Sequence, residues 1–482
     1  MAKNITPKEK NYSQWYQDVI RAAELADNAP VRGCMVVRPN GYGIWENIQA
    51  VFDRAFKETG HVNAYFPLLI PNSFMEKEAQ HVEGFAPECA VVTRAGGSEL
   101  EEPYVIRPTS ETVIGYMYSQ WVQSWRDLPI LINQWCNVMR WEKRPRLFLR
   151  TSEFLWQEGH TAHATREEAL AETMLMLDVY RRMMQENLAL PVIHGEKSMN
   201  ERFPGADNTF SCEAMMSDGK ALQAGTSHFL GQNFAKAFDI TYQDKNGKIE
   251  YAWTTSWGTS TRMIGAIIMT HSDNDGLVLP PRVAPVKAAI IPISSDEAKL
   301  SDSLAPTAMK LSNELNAALG CLGVAVDRQF HMRPGDRFFH HLQRGVPLRI
   351  ELGEREFDES RVTIVRRDNS KKEQVSFDAA PARVKELLDD IQKNMYDKAL
   401  AFREQNTRDV SSLDEMKDFF RKNTNGGFAR AYFDGSPDDE KDIKDSTGGA
   451  TIRCMPTEDE SRGKCVYTGK EGARRCIFAK AY

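Results

Sequence analysis

The sequence predicts a multidomain chain of α+β class, on three observations. Its 482 residues exceed what one hydrophobic core can hold, so two to four domains are expected. Two strand-like runs, Gln134–Glu142 and Ser152–His160, flank a basic tip and read as an antiparallel hairpin. After the proline-rich LPPRVAP at residues 279–285, strand and helix patterns alternate, as in a separate α/β unit.

Taken in order, residues 13–60 read as helical. Pro39, Gly41 and Gly43 punctuate them before a second amphipathic helix that runs to Gly60. Residues 63–70, NAYFPLLI, read as an apolar strand closed by Pro71. A further strand leads into Pro108. Thr109, Ser110 and Glu111 then open a helix over 112–125, where N-capping and substrate contact both suit Thr109. A helix over 166–187 follows the hairpin. Gly225, Thr226, Ser227 and His228 read as a tight polar turn, either a generic loop or a site. Near Gly258 a strand ends and a helix starts at about Thr259, with Arg262 in its first turn. A cation there opposes the helix dipole, which points to an anion or ring contact. Beyond the proline-rich break come strands at 287–293, 324–327 and 346–352, a hairpin at 361–377 and a helix from Ala380. Arg333, Arg337, Arg349, Arg355, Arg366 and Arg367 give this unit a locally basic character.

Composition narrows the class. Hydrophobic residues make up 41% and charged residues 27% of the chain, as in ordinary globular proteins. Neither a signal-peptide h-region nor an apolar run of about 20 residues is visible, so a cytoplasmic protein without a membrane span is expected. Eight scattered cysteines fit reduced thiols, and Cys454, Cys465 and Cys476 lack the paired spacing of a zinc site. The net charge of −6 excludes a uniformly basic chain but allows a nucleic acid on a local basic face.

The chemistry concentrates in the hairpin, VMRWEKRPRLFLRTSEFLWQEGH. Period-two alternation puts Arg140 and Glu142 on one face of the first strand. It puts Phe154, Trp156, Glu158 and His160 on one face of the second. Such a face offers a cation for phosphate, aromatic planes for a ring and carboxylates for an amine.

With these residues in place, the chain resembles class II aminoacyl-tRNA synthetases. The strand ending in proline, the hairpin with Arg-x-Glu and the late Gly–Thr–x–x–Arg are similar to motifs 1, 2 and 3. VRGCMVVRPNGYGIWENIQ, NAYFPLLIP, RPTSET, RTSEFLWQEGHTAH, QAGTSHFLGQNF and SWGTSTRMIG resemble, in order, the prolyl-tRNA synthetase family. GVPLRIELGERE and the terminal FAKAY are similar to its anticodon-binding and C-terminal parts. The resemblance implies a class II antiparallel-sheet catalytic domain over 1–283, an α/β anticodon-binding domain over 284–405, and a small α+β C-terminal domain over 406–482. It also implies a homodimer formed through motif 1, and the short form of the family. The interval from His163 to Tyr251 is too short for an editing insertion.

The same resemblance implies residue roles. Arg140 and Arg262 would be catalytic, with Arg140 bridging the proline carboxylate and the α-phosphate of ATP. Thr109 and Glu111 would receive the secondary ammonium of proline. Trp156, Phe203 and His228 would wall its ring, while Glu158 and His160 brace the floor. Arg150 would hold the outer phosphates, and Phe154 with Arg262 would sandwich the adenine. Glu142 would meet the adenine edge or the tRNA terminus, and Gln223, Thr226 and Ser260 would complete the nucleotide and Mg²⁺ contacts. Arg349, Glu351 and Arg367 would read the anticodon of tRNA(Pro). The family's zinc ligands would fall near Asp434 and Asp439 and at Cys465 and Thr468, and three of these are not cysteine, so no structural zinc is expected. The rival readings are a catalytically inert tRNA sensor and a threonyl or glycyl enzyme. The ATP-contacting arginines argue against the sensor, and the FLW face with the TSE turn argues against the other enzymes.

Overall fold

The computed structural model describes residues 4–81, 89–423 and 426–482. Its N-terminal domain begins with helices α1 (Tyr12–Ala22) and α2 (Pro39–Glu58), with a small hairpin, Ala26–Asn28 and Met35–Val37, between them. Pro39, Gly41 and Gly43, expected as punctuation before the second helix, lie inside it. Pro39 begins it, where a missing N–H costs nothing, and a Cβ on Gly41 would lie 2.2 Å from the Leu25 carbonyl oxygen. The NAYFPLLI run is likewise not one strand. Only Val62–Asn63 and Leu69–Pro71 pair, in different sheets.

The central sheet of this domain is then built with α3 (Glu111–Trp121), β1 (Ile130–Met139), β2 (Glu153–His163), α4 (Arg166–Leu188), β3 (Ile193–Glu196), β4 (Asn208–Met215), β5 (Ala221–Gly231), β6 (Trp253–Ser260) and α5 (Arg262–His271). Its order is β3-β4-β5-β6-β2-β1, antiparallel throughout. Gly225–His228, expected as a turn, lies inside β5, and the strand before Arg262 continues through Ser260 rather than ending at Gly258. The cap of α3 is Ser110, not Thr109, and its side chain makes no capping bond.

One face of this sheet packs on α2 and α4. The Trp257 ring lies 5.0 Å from Phe56 and 6.2 Å from Tyr180, both buried. In register opposite Trp257 is Gly159. A Cβ there would stand 2.0 Å from the indole, so only glycine lets the ring lie against β2.

The second domain has a five-stranded sheet. Parallel strands β7 (Ala288–Ile293), β8 (Val324–Val326) and β9 (Leu348–Gly353) carry a helix, α6 (Pro334–Gln343), between β8 and β9. The antiparallel strands β10 (Arg361–Arg366) and β11 (Lys372–Ser376) extend it, and α7 (Ala380–Gln405) crosses it. The third contains β12 (Phe428–Phe433), α8 (Pro437–Thr447), β13 (Thr451–Pro456) and β14 (Ala473–Ala479). It does not stand apart. β13 pairs with β3, so the central sheet of the first domain continues into this domain as a twelve-stranded sheet among the described residues. No helix among the described residues is long and apolar enough to cross a membrane.

Replacing Gly159 by alanine forces a methyl into the Trp257 ring. The variant is expected to lose about 1–3 kcal/mol of stability or more, read as a lower urea midpoint. An unchanged midpoint would contradict this packing.

Candidate active site

The face of the sheet opposite α2 and α4 opens into a cleft of about 240 Å³. Thr109, Glu111, Arg140, Trp156, Glu158, His160, Phe203 and His228 line it, together with Phe154, Gln223, Thr226, Ser260 and Arg262. Strand alternation explains the gathering. Phe154, Trp156, Glu158 and His160 occupy alternate positions of β2, with β6 beside it and β5 the next strand over. Arg140 falls just past the end of β1 rather than within it. Its backbone N–H still donates to the Ser152 carbonyl at 2.7 Å, adding one rung to the hairpin.

At one end of the cleft, the Thr109 hydroxyl donates to Glu111 Oε2, and both residues are buried. Beneath them lies a buried carboxylate–imidazole pair. Glu158 Oε2 is 2.9 Å from His160 Nε2. Its Oε1 accepts from Ser110 Oγ at 2.5 Å and Gln134 Nε2 at 2.8 Å. Burial pushes the Glu158 carboxyl up, but these hydrogen bonds and the His160 charge outweigh it and hold it below its ordinary value. Burial likewise pushes His160 down, and Glu158 more than reverses this. Both shifts favour the ionic form of the pair. Ser110 spends its hydroxyl on Glu158, which is why α3 lacks a side-chain cap.

The opposite wall is neutral. Phe203 lies 4.7 Å from the His228 ring, and His228 Nδ1 is 3.0 Å from Thr209 Oγ1. Burial, with the charges of His160 and Lys197, pushes His228 down to about 3, so its imidazole is uncharged at neutral pH.

Two guanidinium groups face the cleft. Arg140 Nε donates to the Pro108 carbonyl at 2.9 Å, and its guanidinium lies 5.3 Å from the Trp156 ring and 5.7 Å from Phe154. Burial lowers its pKa against the charges of Glu111 and Glu158. Arg262, the first residue of α5, donates from Nε to the Leu149 carbonyl at 3.1 Å. Burial and the charges of Arg150 and Arg140 push it down to about 10. One Nε–H of each arginine is thus fixed by a backbone carbonyl, which orients the rest of the fork toward the cleft.

Glu142 and Arg150 lie outside this cleft. They pair at 3.7 Å, and Arg150 borders a neighbouring depression with Arg144, Arg146 and Tyr482 that Arg262 also lines. In the second domain, Arg349 and Glu351 pair with each other at 2.7 Å on β9, with the Arg349 guanidinium 4.4 Å from the Phe338 ring. Arg367 is placed differently from expectation. Its guanidinium donates to both Asp273 oxygens at 2.7 Å and to the carbonyls of Leu277 and Leu342, so it joins the second domain to the first. The basic character expected of this domain is largely neutralised, since Arg337, Arg355 and Arg366 each hold a carboxylate as well. Of the positions where the resemblance would put zinc ligands, Thr468 Oγ1 donates to Asp434 Oδ1 at 3.1 Å and Thr468 N donates to Cys465 Sγ at 3.4 Å. Asp439 instead joins Ser436 in capping α8.

For a metal, no cluster of three or more His, Cys, Asp or Glu among the described residues has ligand geometry. The uncharged oxygens of Gln223, Thr226 and Ser260 suit Mg²⁺ that arrives already held by phosphates.

Several cleft residues escaped the sequence. Glu201, Arg202, Thr209 and Ser256 also line it. Ser256 is opposite His228 on one side and His160 on the other, and its buried hydroxyl has no hydrogen-bond partner among the described residues. Gln134 stands opposite Glu158 in the hairpin. The signal for both is strand register, which pairs of runs fix jointly and neither run carries alone.

Comparison with known proteins adds the family. A model described as tRNA synthetase class II core domain (G, H, P, S and T) matches residues 92–271. One described as anticodon binding domain matches 287–387, and one described as prolyl-tRNA synthetase, C-terminal, matches 413–482. A proline–tRNA ligase of Chloroherpeton thalassium is 54% identical, covering 100% of both chains. One of Roseiflexus castenholzii is 54% identical over 100% of this chain and 99% of its own. The crystal structure of prolyl-tRNA synthetase from Cryptosporidium parvum, complexed with halofuginone and AMPPNP, superposes with a TM-score of 0.91. It is 39% identical and covers 99% of each chain. Identity above one half along the whole chain, carried by three matched domains and by the cleft just described, shows that the chain belongs to the proline–tRNA ligase family of class II aminoacyl-tRNA synthetases.

Proposed function

We propose that the protein, acting as a cytoplasmic homodimer, activates L-proline with ATP to prolyl-adenylate and transfers the prolyl group to tRNA(Pro). The observation that carries this reading is the charge arrangement of the cleft. The Thr109–Glu111 pair offers acceptors to a secondary ammonium, Arg140 stands ready for a carboxylate, and a neutral ring wall of Trp156, Phe203 and His228 lies between. In the first step a proline carboxylate oxygen bonds to the α-phosphorus as the bond to pyrophosphate breaks. Arg140 donates to both oxygens as charge moves between them, and no side-chain nucleophile is needed. Arg262 and Phe154 flank the adenine, and Gln223, Thr226 and Ser260 meet the nucleotide. Bound Mg²⁺ would neutralise phosphate charge. In the second step the terminal ribose hydroxyl of tRNA attacks the prolyl carbonyl, releasing AMP. Arg349 and Glu351 are the residues of the second domain we assign to the anticodon. Exposed Val62, Tyr65 and Leu69, beside the edge strand Val62–Asn63, support a dimer face in motif 1.

Amino-acid-dependent ATP–pyrophosphate exchange across the twenty amino acids tests the assignment. Signal with proline is expected. Signal with threonine or glycine and none with proline would overturn it, and none with any amino acid would favour the tRNA sensor. Arg140→Ala should lower the proline signal by about 10²–10³-fold or more, and near-normal exchange in a folded variant would remove Arg140 from its role.

A slot shaped for proline rejects smaller side chains poorly, because a missing methylene is worth only about 1–3 kcal/mol. Residues 164–252 are taken up by α4, β3, β4, β5 and short connecting elements of the catalytic domain, which supports a chain without a separate editing insertion. Measurable activation of alanine or cysteine is expected in the same assay, and selectivity of many thousand-fold against both would contradict it.

His228 gives a pH signature. Unfolded, the imidazole titrates near its ordinary 6.5, and folded near 3. Above 6.5 both states are neutral and its contribution is complete. As pH falls from 6.5 toward 3 the unfolded state takes up the proton first, and stability drops by up to about 1.4 kcal/mol per pH unit. Urea midpoints between pH 7 and 5 should fall more steeply for the native chain than for His228→Gln, and equal slopes would contradict the neutral wall.

A further inference from the structure

The wall that carries Phe203 is held from outside the catalytic domain. Residues 196–201 run from the end of β3 to the lip of the cleft, and side chains of the C-terminal domain engage them one after another. Arg474 meets Glu196 Oε2 at 2.9 Å. Glu440, on α8, accepts from Ser198 Oγ at 2.9 Å and from Asn200 Nδ2 at 3.2 Å, and Asn200 also donates to the Pro437 carbonyl at 2.9 Å. Arg453, on β13, lies 3.6 Å from Glu201 Oε2, while its Nε donates to Glu213 Oε2 at 3.2 Å. Lys197 completes the group, 3.4 Å from Glu213 Oε1.

Lys197, Glu213, Glu440 and Arg453 are buried. Polar groups this deep tolerate little displacement, because each depends on its partners for the hydration it has lost. The backbone is fixed as well. β13 pairs with β3 at Gly195, where a Cβ would lie 2.2 Å from the Met455 carbonyl oxygen. From this anchored segment the chain passes directly to the cleft. Arg202 donates to the Asp207 carbonyl at 2.6 Å and pairs with Glu196. Phe203 N donates to Thr209 Oγ1 at 3.0 Å, the same oxygen that meets His228.

We propose that Glu440, assisted by Arg453, is a positioning residue for the amino-acid substrate. Through residues 196–202 the C-terminal domain sets where the Phe203 wall stands, and so sets amino-acid affinity and size discrimination. Gln223, Thr226 and Ser260, at the nucleotide end, receive no contact from Glu440. The proposal rests on the reading that this cleft takes an amino acid.

The full-length Glu440→Ala and Glu440→Gln variants test it, with two readouts. In pyrophosphate exchange, Glu440→Ala should raise the KM for proline roughly tenfold, as expected for the loss of its hydrogen bonds to Ser198 and Asn200. The KM for ATP and kcat should stay within about twofold, and the preference for proline over alanine should narrow. Deuterium uptake in the 196–206 peptide should rise in the same variant. Glu440→Gln keeps one acceptor oxygen and should recover most of both losses. An unchanged KM for proline, a parallel rise in both KM values, or unchanged uptake would overturn the proposal, since a bond that merely stabilises the fold moves neither readout selectively. If the native chain activates a different amino acid, the functional reading fails, while the KM for that amino acid and the deuterium uptake still decide the role of Glu440.

Discussion

The buried ion pair of Glu158 and His160 is the interaction on which the cleft depends. A carboxylate removed from water is costly unless its lone pairs are filled. Filling them draws in Ser110 from the start of α3 and Gln134 from the partner strand, and brings His160 in from two residues along the same strand. Each donor comes from a different place, so satisfying one carboxylate fixes the helix start, the hairpin register and the floor of the slot together. Slipping β2 by one residue would turn Glu158 and His160 into the Trp257 core and leave both charges unpartnered.

The same pair sets the electrostatics around it. A charged His160 nearby helps keep His228 neutral, so the ring wall stays free of charge while the floor carries it. Arg140 and Arg262 repel one another across the cleft, and each is held by a carbonyl rather than a carboxylate. A guanidinium tethered that way keeps its charge unneutralised, as a site for polyanionic substrates requires.

Much of this was legible in the sequence because alternation within a strand is a local property. Phe154, Trp156, Glu158 and His160 could be placed on one face from their spacing alone. The limits were equally physical. Glycine, proline and polar residues read as punctuation at 39–43 and 225–228, yet the first lie in a helix packed against Leu25 and the second in a central strand. Tertiary packing decided those elements, and propensity did not. Ser256 and Gln134 needed strand register, and Arg367 needed the position of another domain. A lone arginine on a basic-looking strand carries no sign that Asp273 waits beside it. The family resemblance supplied the identity of the amino acid, which periodicity could not.

The continuous sheet also bears on how the protein is made. Gly195 in β3 pairs with Ser211 of β4 on one side, but on its outer edge it pairs only with Pro456, and Ala221 bonds to Lys480. A ribosome adding about 5–20 residues per second takes roughly 15–50 s to cross the first interval. During that time the hydrogen-bonding edge of β3 is uncovered, and bare strand edges are where nascent chains pair wrongly with each other. The arrangement that braces the finished cleft thus leaves an open strand edge on its growing precursor until residues 455–456 are made.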